Sequence, residues 1–200
     1  MKLFSSSFTQ GGKMPSLTAF GRCAIDGQTH RSSNLNPDLS WFDVPDGTAS
    51  FALACLDDDV PTNLEERSLA GEIPMWQLRR RFVHWVQADI PLSVREIALG
   101  ELANEKKLTK GYGIPGVNDY SRGEAVELGG VGTGYDGPCP PSVDSRWHFY
   151  RFVIFALDVE TLGLTPGFSW DDLQAAMDGH VLGAAEWVGR YSLNKRLQDE

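Results

Sequence analysis

The amino-acid sequence predicts a mainly β protein, an antiparallel β-sandwich with a few peripheral helices. Three observations carry this. Short apolar or alternating segments recur along the chain, separated by turns rich in Gly, Pro and Asn. Helical signals are few and fall late. Strands and helices never alternate in the βαβ rhythm of a parallel sheet. The 200 residues fit one domain, residues 1–200, long enough for a real hydrophobic core.

In chain order, residues 2–9 (KLFSSSFT) suit a short first strand, broken at Gly11-Gly12. Residues 16–30 carry no clear signal. Asn34, Asn36 and Pro37 mark a turn, after which Leu39 and Trp41 alternate as in a strand. Pro45-Asp46-Gly47 is a second turn. Residues 51–56 (FALACL) form a short buried strand that runs into Asp57, Asp58 and Asp59 and then Val60-Pro61-Thr62. Residues 63–80 are polar and interrupted by Gly71 and Pro74. They read as a long excursion from the core, of the kind that often builds a binding rim.

Arg79-Arg80-Arg81 reads as a solvated strand edge or loop. Residues 81–91 (RFVHWVQADIP) return as a strand, with Phe82, His84, Val86, Ala88 and Ile90 on one face by strict alternation. Ser93 with Glu96 three residues on, then Ile97, Leu99 and Leu102, gives the capping box of a short helix. Residues 104–133 are Gly-rich and loop-like. From Gly134 a Gly- and Pro-stiffened loop leads into WHFYRFVIFALDV, a buried strand ending near Val159. Ser169 and Asp172 form a second capping box, opening a helix that Gly179 stops. Residues 181–192 alternate weakly and suggest a closing strand.

A net charge of −9 argues against non-specific nucleic-acid binding and against docking on anionic membranes. The three cysteines, Cys23, Cys55 and Cys139, form neither a disulfide framework nor a metal-binding pair. They fit a reducing compartment. The N-terminus lacks the apolar core of a secretory signal, and no apolar run reaches membrane-spanning length. The expectation is a cytoplasmic protein that does not insert into membranes.

Four side chains stand out as a site: Asp57 at a strand end, His84 within a strand, and His148 and Tyr150 two residues apart on one strand face. Each alone has an ordinary structural explanation, as a turn cap, a satisfied core histidine or packing. If their strands are neighbours, two imidazoles, a phenol and a carboxylate share one hollow. Asp57 would fix a histidine tautomer, and the remaining donors beside stiff Gly-rich backbone would suit an anion, above all phosphate. His30 and His180 read as structural. Trp41, Trp85 and Trp147 read as core or pocket wall, and Tyr112, Tyr120 and Tyr135 as loop residues at the rim.

These residues lie in motifs that resemble the phosphatidylethanolamine-binding, or Raf-kinase-inhibitor-like, proteins, most closely their bacterial branch. Asp57-Asp58-Asp59-Val60-Pro61-Thr62 is similar to the family's Asp-Pro-Asp-x-Pro-[Ser/Thr]. His84-Trp85 with Ile90-Pro91 resembles its His-Trp strand. Gly137-Pro138-Cys139-Pro140-Pro141 resembles its Gly-x-x-Pro-Pro loop, and His148-Phe149-Tyr150 its His-x-Tyr strand, leading into Phe155-Ala156-Leu157-Asp158. Asn34-x-Asn36-Pro37-x-Leu39-x-Trp41 and Gly179-His180-Val181-Leu182 extend the likeness over nearly the whole chain. Asp58 stands for the usual Pro, Phe149 for the usual Arg and Asn36 for a common Ser.

The resemblance implies a two-sheet Greek-key sandwich with a small anion pocket. Asp57, His84, Gly137, Pro138, His148 and Tyr150 would line it, with Asp59, Pro61, Trp85 and Cys139 shaping it. It further implies a phosphate-like or phospholipid head-group ligand, kinase or protease inhibition in some members, and homodimers among bacterial ones.

Three functions follow as expectations. The first is a non-enzymatic module holding a phosphate or phosphorylated group, with no cofactor, no metal and no catalytic residue. The second is a kinase or protease inhibitor or scaffold, with the pocket as a switch, that meets its partner through the 63–80 excursion and Arg79–Arg81. The third is a hydrolase in which Asp57, His84 and His148 do acid–base work or hold a metal. No nucleophile elbow, P-loop or His-Glu-x-x-His supports the third, and Cys139 is its only candidate nucleophile.

Overall fold

The computed structural model describes residues 1–24, 28–103 and 111–198. In chain order the strands are β1 (Lys2–Phe4), β2 (Gly21–Cys23), β3 (Thr29–Arg31), β4 (Leu39–Phe42), β5 (Ser50–Pro61), β6 (Arg79–Pro91), β7 (Glu96–Ile97), β8 (Ile114–Pro115) and β9 (His148–Leu157). Helix α1 (Trp170–Met177), β10 (Val181–Tyr191) and the single turn α2 (Lys195–Gln198) complete the chain. The main sheet runs β10-β9-β5-β6-β8, all antiparallel. Within it, β9 returns by a long connection to lie beside β5, and the order β9-β5-β6-β8 is that of a Greek key. A smaller sheet, β1-β4-β7, faces it, and β2 and β3 make a separate ladder that the sequence did not signal.

The core lies between the two larger sheets. Leu3, Leu39, Trp41 and Ile97 meet Phe51, Leu53, Cys55, Trp85, Ile90, Phe152 and Ile154. Trp41 stands edge-on to Phe51, with ring centroids 5.5 Å apart. The other face of the main sheet carries Ala52, Ala54, Leu56, Val86 and Ala88 under Phe168, Trp170, Leu173 and Met177 of the α1 region. Strand β5 is therefore covered on both faces, which is why FALACL reads as a continuous apolar run rather than an alternating one. Helix α1 starts at the Ser169–Asp172 capping box, and Gly179 stands at φ 80° just beyond its end.

Five local expectations are corrected. Residues 93–102 are not a helix: Glu96 and Ile97 pair with Ser40 and Leu39 instead. Burial of Ile97 in the core outweighs the local capping signal. The strand expected over 2–9 ends at Phe4, where Ser5, Ser6 and Ser7 turn to hydrogen-bond Asp38. Strand β5 does not stop at Leu56 but continues through the three carboxylates to Pro61. Arg79 is not solvated; its side chain is buried in an ion pair with Asp144.

The fifth correction concerns β6. Leu56 pairs with Val83 and Cys55 with Trp85, so His84 is the extra residue of a β-bulge. Alternation breaks there: Val86 and Ala88 turn to the α1 layer, while Trp85 joins the main core and His84 meets Phe82 and Tyr150. A second irregularity follows at Asp89, φ 54°, and restores Ile90 to the core. Of the loop expected over 104–133, residues 104–110 lie outside the described residues. The rest includes β8 and two 3-10 segments, Asp119–Ser121 and Gly123–Leu128.

Candidate functional site

Antiparallel pairing places Asp57 opposite Tyr150 on one side and opposite Phe82 on the other. That register carries His148 and His84 to the same end of the sheet. There they border a cavity of about 770 Å³. Asp57, His84, His148 and Tyr150 all line it and are all almost fully buried. The imidazole of His84 stands edge-on to Tyr150, with ring centroids 5.1 Å apart.

The two histidines are held in opposite states. His148 places Nδ1 2.7 Å from Asp57 Oδ2 and Nε2 3.1 Å from Asp144 Oδ2. Both nitrogens face carboxylate oxygens, so both must donate, and the ring is an imidazolium. Burial opposes that charge, but Asp57 and Asp144 outweigh it and hold the pKa at about 9. Arg79 completes the chain of charges, pairing with Asp144 and donating from Nη2 to Asp144 Oδ1 at 3.1 Å. Burial would raise the Asp144 pKa, yet the bonds from His148 and Arg79 bring it below the ordinary carboxylate value.

His84 donates Nδ1–H to the Asp136 carbonyl at 2.7 Å. Burial pushes its pKa down against the pull of Asp57 and of the Asp136 carbonyl. The ring is thus neutral near pH 7, with its Nε2 lone pair free. Neither that Nε2 nor the Tyr150 hydroxyl hydrogen-bonds to any described residue. The free donors expected of the pair of histidines therefore reduce to one nitrogen, and that one must first take up a proton.

The Gly-Pro loop is placed behind the wall. Gly137 N–H donates to Asn34 Oδ1 at 2.7 Å, and its carbonyl accepts from the Tyr120 hydroxyl at 2.8 Å, so its amide is not open to a ligand. A Cβ at Gly137 would collide with the Thr18 carbonyl and the Tyr135 hydroxyl, which leaves only glycine there. Pro138 accepts from Phe20 and Gly21 N–H through its carbonyl. Cys139, Pro140 and Pro141 face the cavity instead. Burial pushes the Cys139 thiol up to about 11, so it is no ready nucleophile.

Asp59 donates its N–H to Asp57 Oδ1 at 2.7 Å and accepts from Phe149 N–H at 3.0 Å, which fixes the Asp57 carboxylate from behind. Pro61 pairs with Arg79 at the end of β5, and Trp85 is wholly in the core. Tyr112 and Tyr135 are not at the rim. Tyr135 packs on Trp85 with its hydroxyl on the Thr18 carbonyl, and Tyr112 is half-buried against the core. Among the described residues no group of His, Cys, Asp or Glu is arranged to hold a metal ion.

Sequence reasoning missed Asp144, Arg79 and Asp136. Asp136 is fully buried and accepts from Asn34, Asn118, Val131 and Gly132 at 2.8–3.2 Å while its carbonyl fixes His84. An Asp next to Gly reads as an ordinary turn, and only its burial distinguishes it. The outer walls were also missed: Thr29, Val60, Leu64, Arg80, Phe82, Asp119, Arg122, Ala125 and Leu128.

A Greek-key sandwich with a polar-floored cavity at one sheet end has the build of a β-sandwich binding protein. The chain belongs to the phosphatidylethanolamine-binding protein family, whose model matches residues 4–192. It is 35% identical to a UPF0098 protein of Aquifex aeolicus, over 96% of this chain and 88% of the relative. It is 30% identical to the UPF0098 protein YbhB of Escherichia coli K12, over 96% of this chain and all, 100%, of YbhB. A crystal structure of a homologue from Chlamydia trachomatis superposes with a TM-score of 0.67 at 27% identity, covering 96% of each chain. Escherichia coli YbcL, described as a member of the mammalian family, shares the fold with a TM-score of 0.70 at 24% identity, covering 96% of this chain and 97% of YbcL.

Proposed function

We propose that this is a non-enzymatic binding protein that seats phosphate, or a phosphorylated head group, on His84 and Tyr150. The observation that carries the reading is the pair of unpartnered polar atoms, His84 Nε2 and Tyr150 Oη, at the buried end of one cavity. Arg80 and Arg122, both exposed, add positive charge along the same cavity. Every other polar group on the floor is already satisfied: Asp57 by His148 and Asp59, and His148 by two carboxylates. Such a floor orients an anion and offers no activated nucleophile.

The groups facing His84 are Asp57 from β5, Tyr150 from β9, Phe82 from β6, Asp119 and Tyr120 from the 3-10 segment, and the Asp136 carbonyl. A bound dianion joins them and favours the imidazolium, so binding draws in a proton. Because the free ring is neutral at pH 7, affinity falls as pH rises past neutral, where the ligand is already a dianion and the proton must come from solvent. Calorimetry with inorganic phosphate and O-phosphorylethanolamine, in buffers of different ionisation enthalpy, measures this. At pH 8, where both ligands are already dianions, uptake of about one proton per ligand supports the reading; binding without proton uptake there, or none at millimolar ligand, refutes it.

A partner-docking role finds support in one further feature. The 63–80 excursion exposes Leu69, Met75, Trp76 and Leu78 while Ile73 and Gln77 pin it to the body. Large apolar side chains left in water on one anchored loop are what a partner would cover. Replacing Met75, Trp76 and Leu78 by Ser should abolish any self-association seen in sedimentation; an unchanged distribution counts against the loop as an interface between copies.

A further inference from the structure

We propose that the cavity takes a phosphomonoester with an apolar body, an aryl or short alkyl phosphate, in preference to bare phosphate or a polar-bodied ester. This rests on the phosphate reading above and extends it outward from His84 and Tyr150. At about 770 Å³ the cavity is many times the size of a phosphate ion. A water molecule's share of the liquid is only about 30 Å³, so an anion alone would leave most of the space to solvent.

Most of what lines that space is apolar. Above the polar floor stand Phe82, Val60, Ala125, Pro140 and Pro141, drawn from four separate segments of the chain. Phe82 and Tyr120 meet edge-on, with centroids 5.2 Å apart, and turn ring surface toward the cavity. Asp119 is the acidic group on this wall, and it is occupied, accepting from Val83 N–H at 2.8 Å. At the mouth Leu64 and Leu128 are 40% and 45% exposed although both line the cavity. Leu64 comes from the excursion and Leu128 from the end of the second 3-10 segment. Two leucines from unrelated segments, facing one cavity and left half in water, are what an apolar guest would cover.

Burial therefore falls from floor to mouth while the walls stay hydrophobic, with Arg80 and Arg122 flanking the opening. A ligand matched to that gradient has one dianionic end and a body that reaches the leucines. Its affinity is set by how much of the body the walls remove from water.

Calorimetry on the intact protein with methyl, butyl, hexyl and 1-naphthyl phosphate, beside inorganic phosphate, hexanol and 1-naphthol, tests this. Affinity should climb by about fourfold for each methylene buried, up to hexyl, with 1-naphthyl phosphate well above inorganic phosphate. Ala125→Trp, which fills the upper cavity, should flatten the series. A series already flat in the wild type, with inorganic phosphate still binding, overturns the apolar-body inference and leaves the phosphate reading standing. Hexanol and 1-naphthol binding as tightly as their phosphates, unaffected by His84→Gln, overturns the phosphate reading itself.

Discussion

His84 and His148 lie in the same cavity and do opposite work. His148 is locked between Asp57 and Asp144, with Arg79 behind, as a buried four-member chain of alternating charge. Removing one member of such a chain strands the others. Asp144→Ala should cost about 3 kcal/mol in chemical denaturation, because it leaves the Arg79 guanidinium buried and unpaired. A loss below about 1 kcal/mol would show the chain to be slack.

The same chain sets a pH dependence. The His148 pKa is raised from the ordinary 6.5 to about 9, so its contribution is fully present below pH 6.5 and is lost as pH rises through 9. Wild-type melting temperature should decline between these values, by an amount on the order of 3 kcal/mol in stability, and His148→Gln should lack that decline. The residues themselves were legible as a set, since Asp57, His84, His148 and Tyr150 all reach one cavity. Their division of labour was not, because it depends on Asp144 and Asp136, whose burial no local pattern announces.

At the scale of elements, the site is made by irregularity. The bulge at His84 breaks strict alternation, so that His84 faces the cavity beside Phe82 and Tyr150 while Trp85 enters the core. A period-of-two reading placed it correctly near Phe82 but wrongly with Val86 and Ala88. Alternation has no means of counting an inserted residue. The supposed helix at 93–102 failed for a related reason: a capping box is local, and the pairing of Ile97 with Leu39 joins residues far apart in the chain.

The excursion was legible as a long loop, but not its anchor. Ile73, fully buried, bonds through its N–H to the Val143 carbonyl at 2.8 Å and bridges to Asp144. The loop is therefore tied to the segment that positions His148. Ile73→Ala should cost about 2–4 kcal/mol and should speed proteolytic nicking between residues 62 and 78. Unchanged nicking would mean the anchor lies elsewhere.

At the scale of the molecule, a chain of net charge −9 gathers its cavity's free positive charge at Arg80 and Arg122 and keeps its deepest cation, His148, fully neutralised. The sandwich was legible because sheets covered on one or both faces write their burial into apolar period. The cavity's outer walls were not, because they come from β5, β6, the excursion, a 3-10 segment and the Pro140-Pro141 loop, which meet only when folded. On this reading one histidine is a fixed cation and the other a neutral ring waiting for a proton. Nitrogen-15 NMR of the imidazoles at pH 7 distinguishes the two. His148 should read as doubly protonated throughout, and His84 as neutral with the proton on Nδ1, turning to imidazolium when phosphate is added. A His84 already charged in the free protein, or one whose nitrogen shifts ignore saturating phosphate, would contradict the account.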